Sequence, residues 1–315
     1  MRRLFLLFAV AVYPLFLDAQ TDTTVVPFVA YWWIADSYEF EITEIEEKWD
    51  QGELTERDSS SYVARFEVID SSDVHYTIKW SRKADLTWDQ IGLVGNPEFD
   101  KYLDMEVIYK TNELGEFVEL VNWEELSELY LSLVDEVTQA LIAEYPENKD
   151  FAENALEQLK VPYSSKEGIE NLVWDEIGKI HILFGMEYPV DEVIEYEDSF
   201  PNLFGGDPIK ANAELYVSEV DWEDEFCIIV QEIKVDPVGA LFVIKDMFAK
   251  MNLPQAEFNA VLDEAVLDIQ DINVMGFYYY PGVPLYEEFT REINMSLNGT
   301  EIRKVEITRL ELLLD

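Results

Sequence analysis

The most constraining stretch of the chain runs from Asp36 to Arg82, where hydrophobic and polar side chains alternate three times over. Tyr38, Phe40 and Ile42 alternate with acids, Tyr62, Ala64, Phe66 and Val68 with polar residues, and Val74, Tyr76, Ile78 and Trp80 repeat the pattern. A period of two puts successive side chains on opposite faces, which specifies half-buried β-strand. The segments between them, Asp50-Gln51-Gly52-Glu53 and Asp70-Ser71-Ser72-Asp73, hold residues that bond their own backbone or tolerate turn geometry. Short turns make the three strands antiparallel, and their single apolar face needs a cover.

Helical patterns downstream supply that cover. Asn122 with Glu125 predicts a capping pair, followed at helical spacing by Leu126, Leu129, Leu133, Val137 and Leu141. Phe151, Ala155, Leu156 and Leu159 predict a helix over 147–160, and Ile169, Val173, Ile177, Ile180 and Phe184 one over 165–184, with Pro162 between them. Strand patterns return at 190–196, 211–220 and 226–235, around a loop at 200–208. Asp236-Pro237 then opens a helix through Leu241, Ile244, Phe248 and Met251, and Phe258, Val261, Leu262, Ala265 and Ile269 predict another after Pro254. The remainder, 273–314, reads as strand with Asn298-Gly299 as a two-residue turn. There Val305 and Ile307 face one way and Leu310, Leu312 and Leu314 the other, which predicts a bulge or a strand buried on both faces.

The blocks are strands 25–121, helices 122–184, strands 190–235, helices 237–269 and strands 273–314. Turn-linked strand blocks separated by helical blocks predict an α+β fold: a large, curved, mainly antiparallel sheet, half-barrel-like, covered by helices on its concave face. Without a linker or repeat, residues 20–315 are expected to form a single domain.

Met1-Arg2-Arg3, the apolar run Leu4 to Leu17 and Asp18-Ala19-Gln20 have the pattern of a signal peptide over 1–19. The run is interrupted by Pro14 and is short for roughly 30 Å of hydrocarbon, so no stable transmembrane insertion is expected. The expected setting is exported, periplasmic or secreted. The formal net charge of −44 repels nucleic-acid phosphates and anionic headgroups, which excludes nucleic acid as a partner. Hydrophobic residues make up 49% of the chain, enough for a core that the acids coat. Cys227, the one cysteine, lies in the apolar run Phe226 to Val230 and is expected to be a buried thiol.

The segments Glu116 to Glu125, Asn202-Leu203-Phe204-Gly205-Gly206-Asp207-Pro208 and the closing hairpin resemble a group of uncharacterised exported proteins of Bacteroidota. That resemblance implies an envelope or secreted setting. More loosely, the expected fold is similar to the half-barrel carriers of lipids and lipoproteins in bacterial envelopes.

No motif of catalysis or cofactor binding is present. His75 is expected on a solvent face of its strand, and His181, flanking the apolar stripe of the third helix, is expected to bond a nearby acid. There is no HExxH spacing, no GxSxG elbow and no Gly-rich phosphate loop. Asp70, Asp73, Asp221, Glu223 and Asp224 lack the spacing of a calcium loop and read as polar turns. No cofactor or metal site is therefore expected. The expected function is a non-catalytic binding or carrier module for a hydrophobic ligand or an envelope protein, with Trp32, Trp33, Trp80, Phe277, Tyr278 and Tyr279 as candidate ligand-binding residues. The alternatives are an envelope interaction protein without a cavity and, third, a carboxylate-based hydrolase.

Overall fold

The computed structural model describes residues 24–83, 105–146, 149–200, 207–250, 264–297 and 299–314. The expected leader, the Asn202 to Gly206 core of the loop and the part of the helix expected after Pro254 that falls within 254–263 lie outside these residues. The first half carries β1 (Val25–Pro27), β2 (Ser37–Asp50), β3 (Glu53–Ser72), β4 (His75–Lys83), β5 (Glu106–Asn112) and β6 (Phe117–Leu120). Helices α1 (Trp123–Glu144), α2 (Lys149–Tyr163) and α3 (Lys166–His181) follow. The second half carries β7 (Glu187–Pro189), β8 (Val193–Phe200), β9 (Ile209–Asp221), β10 (Phe226–Val235), α4 (Pro237–Lys250), β11 (Val266–Tyr278), β12 (Val283–Leu297) and β13 (Thr300–Leu312).

Among the described residues, eleven strands form one open antiparallel sheet in the order β6-β5-β4-β3-β2-β13-β12-β11-β10-β9-β8, and β1 pairs with β7 in a separate two-stranded sheet. The expectation that every strand block joins the large sheet is corrected by that small pair. Helix α3 shows how far the large sheet curves. Its Glu170 accepts a bond from the Leu120 backbone on β6, while Lys179, nine residues on, lies 5.7 Å from the Phe289 ring on β12. Six strand spacings of about 4.8 Å would put those strands roughly 29 Å apart in a flat sheet. Nine residues of helix cover only about 14 Å. The sheet bends around α3.

The stripe Ile169, Val173, Ile177 and Ile180 of α3 is fully buried in a core shared with Ile42, Phe66, Trp80, Tyr109, Met275 and Leu310 from both arms of the sheet. Ser165 caps this helix by accepting from Gly168 N at 3.1 Å. Gly168 is required there because a Cβ would run into the Pro162 carbonyl at the end of α2. Helix α4 packs by Leu241 and Ile244 on Val235 and Leu267, and Asp236 caps it, accepting from Val238 N and Gly239 N at 3.1 Å each.

Several expectations are corrected. Val266 to Ile269 is strand, not helix: Leu267 is buried beneath α4, and the backbone of the segment pairs with β12. Phe200 ends strand β8 instead of starting a loop, and that strand begins at Val193 instead of Val190. Pro162 lies inside the last turn of α2 rather than between helices. Asn122 makes no capping bond; its side chain instead accepts from Ile108 N and donates to Glu106 O, both at 2.9 Å, which ties α1 to β5. His181 bonds no acid; it is buried against Tyr109 and the Gly115 carbonyl. Strand β13 resolves the choice left at its alternation. Its pairing is continuous on both sides, and Val305 and Leu310 are buried on opposite faces, so the strand is covered twice without a bulge.

Candidate functional site

Directly opposed residues in a sheet project to the same face. The register sets Gln231 opposite Asn273, Asn273 opposite Phe289, and Phe289 opposite Thr308. One row along, Asp271 opposes Arg291 and Arg291 opposes Glu306. These two rows bring polar side chains to the face that, in the row on the other side of Asn273, carries Ile229, Met275, Glu287 and Leu310. Between the rows and α3 an open cleft of about 480 Å³ remains, walled on the helix side by Asn171, Trp174, Gly178 and Lys179.

The floor of the cleft is rigid. Gln231, Asn273 and Asp271 are only 2%, 7% and 7% exposed. Gln231 Nε2 donates to the Tyr196 hydroxyl at 2.5 Å, and Gln231 Oε1 accepts from Asn273 Nδ2 at 2.7 Å. Burial raises the Tyr196 hydroxyl above its ordinary pKa, with the Gln231 bond opposing, so it stays a neutral phenol. Arg291 grips Asp271 with two bonds, Nε to Oδ1 at 2.8 Å and Nη2 to Oδ2 at 2.6 Å. That bidentate pair cancels both charges and occupies both carboxylate oxygens. The Arg291 guanidinium also lies 5.1 Å from the centre of the Phe200 ring.

The helix wall is shaped by a glycine. A Cβ at position 178 would come 2.5 Å from Trp174 Cε2, so only glycine lets the indole lie flat on the helix. Phe117 meets the Trp174 ring edge-on, at 5.5 Å between ring centres. Trp174 remains partly exposed at the cleft.

A second, smaller recess of about 320 Å³ adjoins across Lys179 and Thr308 and is lined by Tyr62, Arg82, Glu176 and Leu310. A depression of about 640 Å³ at the β8 to β9 edge, by Lys210, Lys234 and Asp236, is larger. The cleft beside α3 is the better candidate because its polar floor is buried and fixed by mutual hydrogen bonds, the mark of a built site.

None of the six aromatic candidates lines that cleft. Trp32 is buried with its Nε1 donating to Gly282 O at 2.9 Å and its ring edge-on to Phe66, Tyr76 and Phe184. Trp80 is buried, donates from Nε1 to Glu176 at 2.8 Å and stacks on Phe40. Phe277 packs on Phe28 and Phe184. Tyr279 is buried near Trp222, Tyr278 packs on Phe226, and Trp33 is 77% exposed. The rings that do wall the cleft are Trp174, Phe200 and Phe289, and one sequence signal points to its floor. In Ile229, Gln231 and Ile233 a polar residue interrupts the buried face of a strand.

His75, half-buried, meets Ser72 Oγ at 2.7 Å, and Asp221 closes its turn by accepting from Glu223 N and Asp224 N. Among the described residues no cluster of three or more His, Cys, Asp or Glu is placed to hold a metal ion. No described helix is long and apolar enough to cross a membrane.

No protein-family model matches the chain and no curated protein matches it, so the resemblance to exported Bacteroidota proteins rests on the segments quoted for it. The structure is weakly similar to lipovitellin, at 10% identity and a TM-score of 0.42, over 90% of this chain and 25% of that one. This chain therefore spans about a quarter of the length of lipovitellin. It is more weakly similar to OmpT, an outer membrane protein of Vibrio cholerae (8% identity, TM-score 0.19, 89% of this chain and 99% of that one). The attachment invasion locus protein Ail of Yersinia pestis is similar at 4% identity and a TM-score of 0.13, over 89% of this chain and 100% of that one.

Proposed function

We propose that this is an exported, non-catalytic binding module whose ligand lies in the cleft between α3 and strands β8 to β13. The buried ladder from Tyr196 through Gln231 to Asn273 carries the reading. Buried amides cost stability unless paired, and a packed apolar face would hold the sheet at least as well. Their place on the floor of an open cleft is accounted for by something they bind. Asp271, the most buried acid of the cleft, is held at both oxygens by Arg291 and serves as an anchor instead of a base.

A hydrophobic ligand or an envelope partner is the second reading, and exposed apolar side chains favour it. Tyr31, Trp33, Ile34 and Tyr280 are all exposed, with the Tyr31 and Tyr280 rings 5.0 Å apart.

Native mass spectrometry of the full chain purified from its own host separates the two. A bound species lost from both Trp174→Ala and Asn171→Ala supports the cleft. A species retained equally by both variants places the ligand elsewhere and overturns the cleft reading.

A further inference from the structure

We infer that the cleft beside α3 takes a neutral carbohydrate chain, an inference that rests on the binding reading above and names its ligand. Three properties of the walls select this chemistry.

The first is the supply of hydrogen-bonding groups. The ladder leaves the second amide hydrogens of Gln231 and Asn273, and Asn273 Oδ1, without protein partners among the described residues. Asn171 and Thr308 add further groups that both donate and accept. Sugar hydroxyls also do both, and a floor of this kind discriminates strongly against ligands that lack them. An acyl chain laid on the same floor would strip water from those amides and replace none of its hydrogen bonds.

The second property is charge. Asp271 and Arg291 neutralise each other inside the cleft, the other charges lining it are Lys179 against Asp198 and Glu306, and the whole chain carries a net charge of −44. An anionic ligand, whether phosphate, fatty acid or acidic glycan, meets that field unfavourably. A neutral ligand does not.

The third is shape. Gly178 lets the Trp174 indole lie flat against α3, and the ring stays partly exposed at the cleft. A flat, fixed aromatic face suits the C–H faces of a pyranose ring. The recess of Tyr62 and Arg82 shares Lys179 and Thr308 with the cleft, so neighbouring units of a linked chain have two adjacent cavities to occupy.

The test screens the full chain on a printed panel of neutral glycans. Calorimetry follows with the best neutral oligosaccharide, with oleate and with polygalacturonate. The expected result is submillimolar binding of a neutral oligosaccharide, weakened roughly tenfold or more in Trp174→Ala and in Asn171→Ala, with no binding of the two anions. Both substitutions are at partly exposed positions of α3, and circular dichroism verifies that each variant folds. A neutral oligosaccharide that binds both variants as tightly as the parent overturns the inference. Binding of oleate instead, weakened by the same substitutions, overturns the sugar chemistry, binding of polygalacturonate overturns the neutral charge, and either leaves the cleft standing. If no probe binds and the native mass spectrum shows no species sensitive to either substitution, the cleft reading itself falls.

Discussion

His181 Nε2, at the end of α3, lies 2.7 Å from the Tyr109 hydroxyl on β5, and both side chains are fully buried. The other ring nitrogen, Nδ1, faces the Gly115 carbonyl at 2.9 Å. A carbonyl only accepts, so Nδ1 carries the hydrogen. Burial pushes the imidazole pKa down to about 4, with the Gly115 bond opposing, so at neutral pH the ring is neutral, Nε2 accepts and Tyr109 donates. Tyr109→Phe leaves Nε2 buried without a donor and is expected to destabilise the fold by about 1 to 3 kcal/mol in urea unfolding. A change of less than about 0.5 kcal/mol would show that the bond carries little.

The same histidine makes stability depend on pH. Its pKa is lower in the folded chain than the ordinary 6.5, so its contribution is complete above 6.5 and is lost as the pH falls through about 4. The loss is on the order of 3 kcal/mol over that window. Unfolding midpoints measured from pH 7 to pH 4 should fall, and less so in His181→Asn.

Glu287 acts in the opposite sense. It is fully buried on β12 between Met275 and Leu310, with no hydrogen-bond partner for either oxygen among the described residues. Burial holds its carboxyl well above the usual 4.5, and the nearby Lys179 charge offsets only part of that. Its contribution is complete below 4.5 and is lost as the pH rises through the folded value. Glu287→Leu, which fits the apolar neighbours, is expected to raise stability at pH 7 by about 1 to 4 kcal/mol. Glu287→Gln should make the acid-side loss from His181 plainer, because the opposing group is gone. Stability of Glu287→Leu at or below that of the parent at pH 7 would count against this account.

Arg291→Met removes the partner of a buried carboxylate, while the double variant with Asp271→Asn removes the charge as well. The single variant is expected to lose about 2 kcal/mol, less than a fully buried pair because the arginine side chain is 39% exposed. The double variant should recover part of that loss, and equal losses in a double-mutant cycle would show that the pair does not couple.

Cys227 is expected to resist thiol reagents in the native state, since it is buried and its thiol is pushed up to about 12. Its labelling rate should follow global unfolding as urea is added. Rapid labelling in buffer would contradict its burial.

The strands were readable because alternation is local, and the α3 stripe because helical spacing is local. Asp236-Pro237 announced a cap for the same reason. Asn122 misled because its side chain had a better offer from β5, a residue pair that sequence spacing does not reveal. Val266 to Ile269 carries both a helical and a strand pattern, and only pairing with β12 decides between them. The cleft was hidden for a related reason. Its floor comes from β8, β10, β11, β12 and β13, and a polar residue such as Asn273 becomes informative only when Gln231 is known to stand opposite. The conspicuous aromatics drew attention because they are large, and Trp32 and Trp80 have their indole nitrogens bonded within the protein.

Every neighbouring pair in the large sheet is consecutive along the chain except β2 with β13, where Phe40 to Asp50 meets Ile302 to Leu312. The sheet is thus two meanders zipped along one seam. Each half can assemble from local contacts, whereas the seam waits for residues some 260 positions away. Until it closes, both halves expose a long unpaired edge of the kind that recruits foreign strands. A chain in which Ile302 to Leu312 has not yet docked carries two open margins at once, one on β2 and one on β12.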